Sequence, residues 1–300
     1  MTNAGVQATS RGSTRAGRFN WPDGLMTQEL VVTLLGAYVA PRRRRVWSGG
    51  LVRLLGDFGF SPGAARVALG RLVRRELLAR VRDGRLVYYE LVGRTEHLLT
   101  EGDRRIFSFG RSQPTEAEVW TIVWHSVPDD QRLERARLAR RLRFLGFGQM
   151  QDALWVSPHD RQVEVGGLLR ELGVERHAVV ILGRPPESLS FPALILGAWD
   201  RDDLVNRYTA FVSEFAPYRE QAEDLTDREA FLVRTRLVHL FRDFPFLDPE
   251  LPSDVMPETH LRAHAVEIFH EVYDRLSGPA FRYFNQMTTP LRPRRRAGAR

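Results

Sequence analysis

The 300-residue chain contains no cysteine and no lysine. Without cysteine there are no disulfides, no thiolate zinc ligands and no thiol nucleophile, and redox compartment is left open. Without lysine, all 44 basic residues are arginine, whose planar fork suits phosphates and guanine edges; a GC-rich genome gives the same bias. Long apolar runs are also missing. The longest, Phe191 to Trp199, is interrupted by Pro192 and falls short of the ~20 residues that span a bilayer. Residues 1–20, rich in Ser, Thr, Gly and Arg, lack the apolar core of a signal peptide. A cytoplasmic protein without membrane contact is expected.

With 43% hydrophobic and 27% charged residues, the composition is that of a globular chain large enough for two or three domains. Its net charge of +7 is unevenly spread. Residues 42–85 hold twelve arginines against Asp57, Glu76 and Asp83, a local charge of +9. Three more arginines lie in the N-terminal arm and five after Pro290, so the remainder carries −10. A basic module on an acidic body points to a polyanionic partner.

Periodicity places a helix from Thr27 to about Val39, with Leu30, Val31, Leu34, Leu35 and Tyr38 on one stripe, stopped by Pro41. The basic loop Arg42, Arg43, Arg44, Arg45 precedes a short strand at Val46-Trp47. A second helix follows from Ser48. Ser61-Pro62 is a strong helix start for a third helix to about Leu77. At ~100° per residue, Ala65, Ala68, Leu69, Leu72 and Val73 share one face, while Arg66, Arg71, Arg74 and Arg75 lie opposite. Val67 and Gly70 sit on that outer side; Gly70 allows close approach, and Val67 can touch a thymine methyl. Two strand-like runs then flank Asp83-Gly84, read as a type I′ hairpin turn, with Arg82 and Arg85 near its tip. Any one of these features is commonly a solvated face, but the order helix, helix, capped helix, hairpin matches a winged helix-turn-helix.

Residues 93–117 read as a linker with one short helix. From 118 to 197 the pattern is β-α-β-β-α-β, the order of a ferredoxin-like sandwich. From 198 to 289 strand signals vanish and three amphipathic helices follow, near 202–223, 227–244 and 259–276, with a short piece near 281–287. The fold class expected is therefore α+β: an arm (1–24), a winged helix-turn-helix (25–92), a linker (93–117), a ferredoxin-like domain (118–197), an all-α C-terminal domain (198–289) and a basic tail (290–300).

Three segments resemble the PaaX family of repressors of phenylacetate and related aromatic catabolism. They are Leu30–Val39 with Val46–Gly56, Ala65–Arg75 through Tyr88–Leu91, and Arg242-Asp-Phe-Pro-Phe-Leu-Asp-Pro-Glu-Leu-Pro252. The likeness covers roughly residues 25–287. It implies a homodimeric repressor on double-stranded DNA at a palindromic operator, with an aryl-CoA inducer such as phenylacetyl-CoA or another acyl-CoA and no cofactor. It also implies that Arg66, Arg71 and Arg74 lie in the DNA-reading helix and Tyr88-Tyr89 in the wing. One departure stands out: the family's Gly-Trp after the recognition helix is replaced by Glu76-Leu77-Leu78.

Residues with the chemistry to hold a CoA thioester, arginine for phosphates and aromatics for the acyl group, are Trp120, Trp124, Trp155, Arg176, Trp199, Tyr208 and Arg242. A metal-dependent nuclease needs an acidic ligand at the end of its first strand, where this chain has Trp124-His125-Ser126. His260, His264 and Glu267 share a helix face but lack a His-Glu-x-x-His pattern. Asp152, Ser157 and His159 lack a nucleophile elbow. Catalysis has no support in the sequence; the alternative to DNA binding is a basic module that docks an acidic protein.

Overall fold

The computed structural model describes residues 27–40, 42, 44–111, 119–184, 197–251 and 258–290. The N-terminal arm, the basic tail after Pro290 and Arg43 lie outside the described residues. The fold is mixed α and β with two antiparallel sheets.

The chain opens with α1 (Thr27–Leu34), extended by one π-helical turn, Leu35–Val39. Strand β1 (Arg45–Trp47) leads into α2 (Ser48–Asp57) and α3 (Pro62–Arg74). Ser48 is the first helical residue rather than a cap, since Trp47 holds the cap position without a side-chain bond. The hairpin is β2 (Leu78–Asp83) with β3 (Leu86–Leu91), and β1 pairs with the outer side of β3. Its tip differs from expectation. Asp83 pairs with Leu86, so the two-residue turn is Gly84-Arg85, with positive φ at Gly84 alone. A type I′ turn needs it at both central residues.

The segment expected as a linker is largely helix: α4 spans Gly93–Ser108. Only Thr95 and Ile106 are buried along it, too sparse a stripe for periodicity to reveal. It is held at its C-terminal end, where Phe107 packs on Phe269 and Tyr273 and Phe109 meets Phe241 edge-on.

Next come β4 (Trp120–His125), α5 (Arg132–Phe144), β5 (Gly148–Gln151), β6 (Leu154–Ser157), α6 (Gln162–Leu172) and β7 (Ala178–Gly183). The sheet runs β5-β6-β4-β7, antiparallel throughout. Alternation along β4 divides its burial. Val123 and Trp155 point into a core with Leu138, Leu142, Val165 and Leu168. Trp120, Ile122 and Val156 face the other way and join the core of the C-terminal helices.

Those helices are α7 (Arg201–Phe215), α8 (Asp227–Phe241) and α9 (Thr259–Thr288). The first stops short of the expected Glu223 because Pro217 has no amide to continue the ladder. The third absorbs the short piece near 281–287 and runs 30 residues through Pro279. Its far end lies beneath the N-terminal elements: Tyr38 stacks on Phe284 at 5.0 Å. A Cβ at Gly50 would fall 2.6 Å from Thr288 Cα, so only glycine lets α2 sit this close. One continuous core thus joins α1–α3 to α8 and α9.

Candidate nucleic-acid interface and a cavity behind it

Ser61 Oγ accepts the Ala64 amide at 3.1 Å and Pro62 takes the first turn, where its missing N–H costs nothing. Ser61, the helix start in the sequence, is bonded as the helix cap and stays exposed; we group it with the residues that contact DNA. Ala65, Ala68, Leu69 and Leu72 are buried, which fixes the rotation of α3. Arg66, Arg71, Arg74 and Arg75 are exposed on the opposite side, and Val67 is 52% exposed among them. Gly70 is half-buried, with open space where a Cβ would be. Arg82 and Arg85 are exposed on the hairpin. None of these arginines has a carboxylate partner among the described residues, so the face is uniformly cationic.

The basic loop is divided. Arg42 lays its guanidinium 3.8 Å from the Phe281 ring centroid on α9. Arg45 lies over Tyr88 at 5.0 Å and pairs with Asp83 at 3.7 Å, bracing the hairpin. Arg44 stays exposed. The loop is therefore partly structural, which arginine spacing alone does not show.

The residues grouped as effector ligands do not converge. Trp120 and Trp155 are buried on opposite faces of the second sheet, and Trp155 Nε1 donates to His125 Nε2 at 3.3 Å. Trp124 is exposed beside its cross-strand neighbour Val179. Arg176 is exposed in a short turn before β7, and Trp199 packs on β5 at Gly148. Tyr208 is fully buried: its hydroxyl donates to Asp248 at 2.7 Å and its ring stacks on Phe244 at 4.3 Å. Burial, with the Asp248 carboxylate beside it, pushes that phenol well above its ordinary pKa.

Of these residues Arg242 lines a cavity of about 670 Å³, where α1, α4, the end of α5 and the segment 242–250 meet. Thr33, Gly36 and Ala37 of α1 form one wall; Leu98, Leu99, Ile106 and Phe109 give it an apolar side. Arg104, Arg105, Arg161 and Arg242 also line it. Arg105 stands over Phe144 and Phe246, themselves stacked at 4.6 Å. Burial, and then the nearby Arg161, lowers the Arg105 pKa, and Arg161 Nε is buried without a partner. Burial raises the Asp103 pKa to about 6, against the pull of Arg234, and raises Asp243 and Glu250 as well. Glu101 lines it too, so four arginines face four acids, with Arg104 paired to Glu101 and Arg242 to Asp243; guanidiniums beside an apolar wall are the groups it offers a ligand. The Arg104-Arg105 pair before Ile106-Phe107 was the sequence signal, hidden in a stretch read as linker.

The segment 242–251 ties the molecule together. Arg242 donates to Thr33 Oγ1 on α1 at 2.8 Å; Pro249 O bonds His159 Nε2 at 2.8 Å; Glu250 accepts the Gly110 amide at 2.9 Å. At its centre Asp248 accepts from Arg262 Nε at 2.7 Å, and Arg262 also donates to Leu251 O. His239 beside it, bonded to Thr33 at 2.8 Å, is held neutral by burial and by Arg242 and Arg236, its pKa falling to about 3. Asp152, Ser157 and His159 do not assemble a hydrolytic site, since the His159 ring is turned to Pro249. Glu267 is committed to Arg219, and no group of three or more metal-binding side chains occurs among the described residues. No helix among them is long and apolar enough to cross a membrane.

An exposed helix of unpaired arginines beside a hairpin is the surface of a DNA-binding regulator. Family models match nearly end to end: PaaX-like protein over residues 26–95, the PaaX protein central Cas2-like domain over 113–193, and the PaaX-like protein C-terminal domain over 199–286. The chain is 28% identical over 265 residues to the transcriptional repressor PaaX of Escherichia coli (strain K12), covering 86% of this chain and 82% of that protein. Among solved structures it is similar to the uncharacterized protein Rv0674 from Mycobacterium tuberculosis, with 21% identity and a TM-score of 0.47, covering 85% of this chain and 98% of that one. The chain belongs to the PaaX family. It is a regulator, not an enzyme.

Proposed function

We propose that this protein is a cytoplasmic, homodimeric repressor of a catabolic operon for phenylacetate or a related aromatic acid, released from DNA by an acyl-CoA thioester. The observation that carries the DNA-binding part is the outer face of α3. Residues 25–92 act as a winged helix, with β2–β3 as the wing. Two copies place α3 in successive major grooves of a palindromic operator. Arg66, Arg71 and Arg74 read base edges around Val67 and Gly70, while Arg44, Arg75, Arg82 and Arg85 hold phosphates. Residues 118–197 supply a ferredoxin-like middle domain and 198–289 a helical one.

The cavity is the proposed effector site. Its guanidiniums suit the phosphates of CoA and its apolar side an aryl group. Since Thr33, Gly36 and Ala37 belong to the helix that carries α3, occupancy of the cavity bears directly on the placement of the reading helix. Coupling of this kind is reciprocal: operator DNA must weaken effector binding by the same factor.

Mobility-shift titration against genomic fragments tests the reading. Wild-type protein should select a discrete palindrome and lose it as phenylacetyl-CoA or another acyl-CoA is added. Arg71→Ala should relax sequence choice, each lost base contact being worth ~1–3 kcal/mol. If Arg71→Ala discriminated among sequences as wild type does, α3 would not be the reading helix.

A further inference from the structure

Helix α5 packs six arginines and one acid, Glu134, into 13 residues. Leu138 and Leu142 are its buried positions. Stepping ~100° per residue from that stripe, the opposite arc holds Arg132, Arg137, Arg140 and Arg143 with Leu133 and Phe144, and no carboxylate. All six are exposed, while Arg141 lies at the flank, next to Glu134. Arg141 pairs with Glu171 at 3.2 Å, and Arg143 donates to Gln149 at 2.8 Å. Arg132, Arg137 and Arg140 have neither an ion pair nor a hydrogen bond to another side chain among the described residues.

The C-terminal helices set the contrast. There Arg201 grips Glu258, Arg207 grips Asp203, Arg219 grips Glu271, Arg228 grips Asp57 and Arg282 grips Asp227. These five arginines are neutralised by acids folded against them, while Arg275 on α9 is exposed without one among the described residues. On α5, Arg135 pairs with Asp129 and Arg141 with Glu171, but Arg132, Arg137 and Arg140, like the arginines of α3, are left uncompensated. Like charges three or four positions apart repel along a helix, a cost that a polyanion lying on the face removes. From Arg132 to Arg143 the face runs about 16 Å at 1.5 Å per residue, long enough to meet successive phosphates of one strand.

We propose that the outer face of α5 is a second DNA contact, one that grips the phosphate backbone without reading sequence while α3 reads the half-site. It rests on the DNA-binding function above. Phe144, at the C-terminal end of the face, is stacked on Phe246 at 4.6 Å, so the contact runs over the Arg132–Arg140 part of the helix, and it is made by guanidiniums to the backbone. The guanidinium forks of Arg132, Arg137 and Arg140 each take a phosphate.

The test uses the full chain carrying Arg132→Gln, Arg137→Gln and Arg140→Gln together. Their side chains are exposed and unpaired, so the thermal melt should match wild type. Affinity for the operator and for a random duplex is measured by anisotropy between about 50 and 200 mM salt. Three lost phosphate contacts should flatten the slope of log K against log salt by up to about 2.7. Both duplexes should weaken alike, with sequence preference intact, and the hydroxyl-radical footprint should lose its flanks. Lysine at the same three positions should restore the slope. An unchanged salt slope in a variant that melts normally overturns the proposal, and an acidic protein would then be the partner of this face. The two readings fail differently: if wild type binds no DNA, the proposed function falls; if wild type selects an operator through Arg71 while the triple variant keeps its slope, only the α5 contact falls.

Discussion

Glu76 lies at φ +56° just past the C-terminal cap of α3, in the left-handed region that glycine favours. Its amide donates to Val73 O and that of Leu77 to Leu72 O, both at 3.0 Å. This is the bond pair of a Schellman turn, closed by a residue whose Cβ opposes the conformation by about 1 kcal/mol. The chain tolerates the strain because Leu78, 2% exposed, anchors the strand that follows. Glu76→Gly should therefore raise stability by ~0.5–1 kcal/mol. Urea denaturation followed by circular dichroism measures it, and a midpoint at or below wild type would show that the turn stores no strain. The sequence told of this position only as a departure from the family's glycine. That the left-handed geometry persists without glycine is a property of the flanking helix and strand, which no residue identity displays.

At the scale of the element, α3 was legible because two independent signals coincide: Ser61-Pro62 fixes where it starts and the Ala65–Leu72 stripe fixes which way it faces. The cap makes a separable prediction. Ser61→Ala removes the acceptor for the Ala64 amide and should cost ~1 kcal/mol, while Ser61→Asp keeps the cap but adds an anion beside the proposed phosphate path. Melting temperature should fall for the first and hold for the second; DNA affinity at low salt should fall more for the second. Equal affinities would remove the first turn of α3 from the interface. Helix α5 shows the opposite case. Its periodicity was plain, yet its arginines vanished into a segment sum of −10, because charge averaged over a domain says nothing of how acids and bases are paired on it. The effector residues failed for a related reason: Trp120 on β4 and Trp155 on β6 face opposite sides of the sheet, and aromatic type does not say which side is hollow.

At the scale of the whole molecule, the Pro-rich stretch after Arg242 does more than pack on the helical bundle. It reaches α1 through Arg242, the α5 ring stack through Phe246, the second sheet's loop through Pro249 and α4's end through Glu250. Every one of these bonds depends on the strap holding its shape around Asp248, whose side chain is 0% exposed against 5% for Arg262. The sequence shows Asp248 as one acid among 37 acidic residues; only the fold reveals that its counter-ion, fourteen residues on, stands on α9. Arg262→Ala leaves a buried carboxylate with the Tyr208 hydroxyl and the Glu250 amide as its remaining donors, which should cost ~3–5 kcal/mol. Arg262→Met with Asp248→Leu removes both charges and should recover part of that stability, because the unpaired ion is gone while the Tyr208 hydroxyl and Glu250 amide lose their acceptor. The two variants separate fold from signalling. In the double variant the strap keeps its volume but loses its pivot, so operator binding through α3 should persist while acyl-CoA no longer displaces DNA. Calorimetric unfolding beside the mobility-shift titration checks both halves. If the double variant releases operator DNA at wild-type ligand concentrations, the buried pair is a structural clamp and the route from cavity to α3 runs through α1 alone.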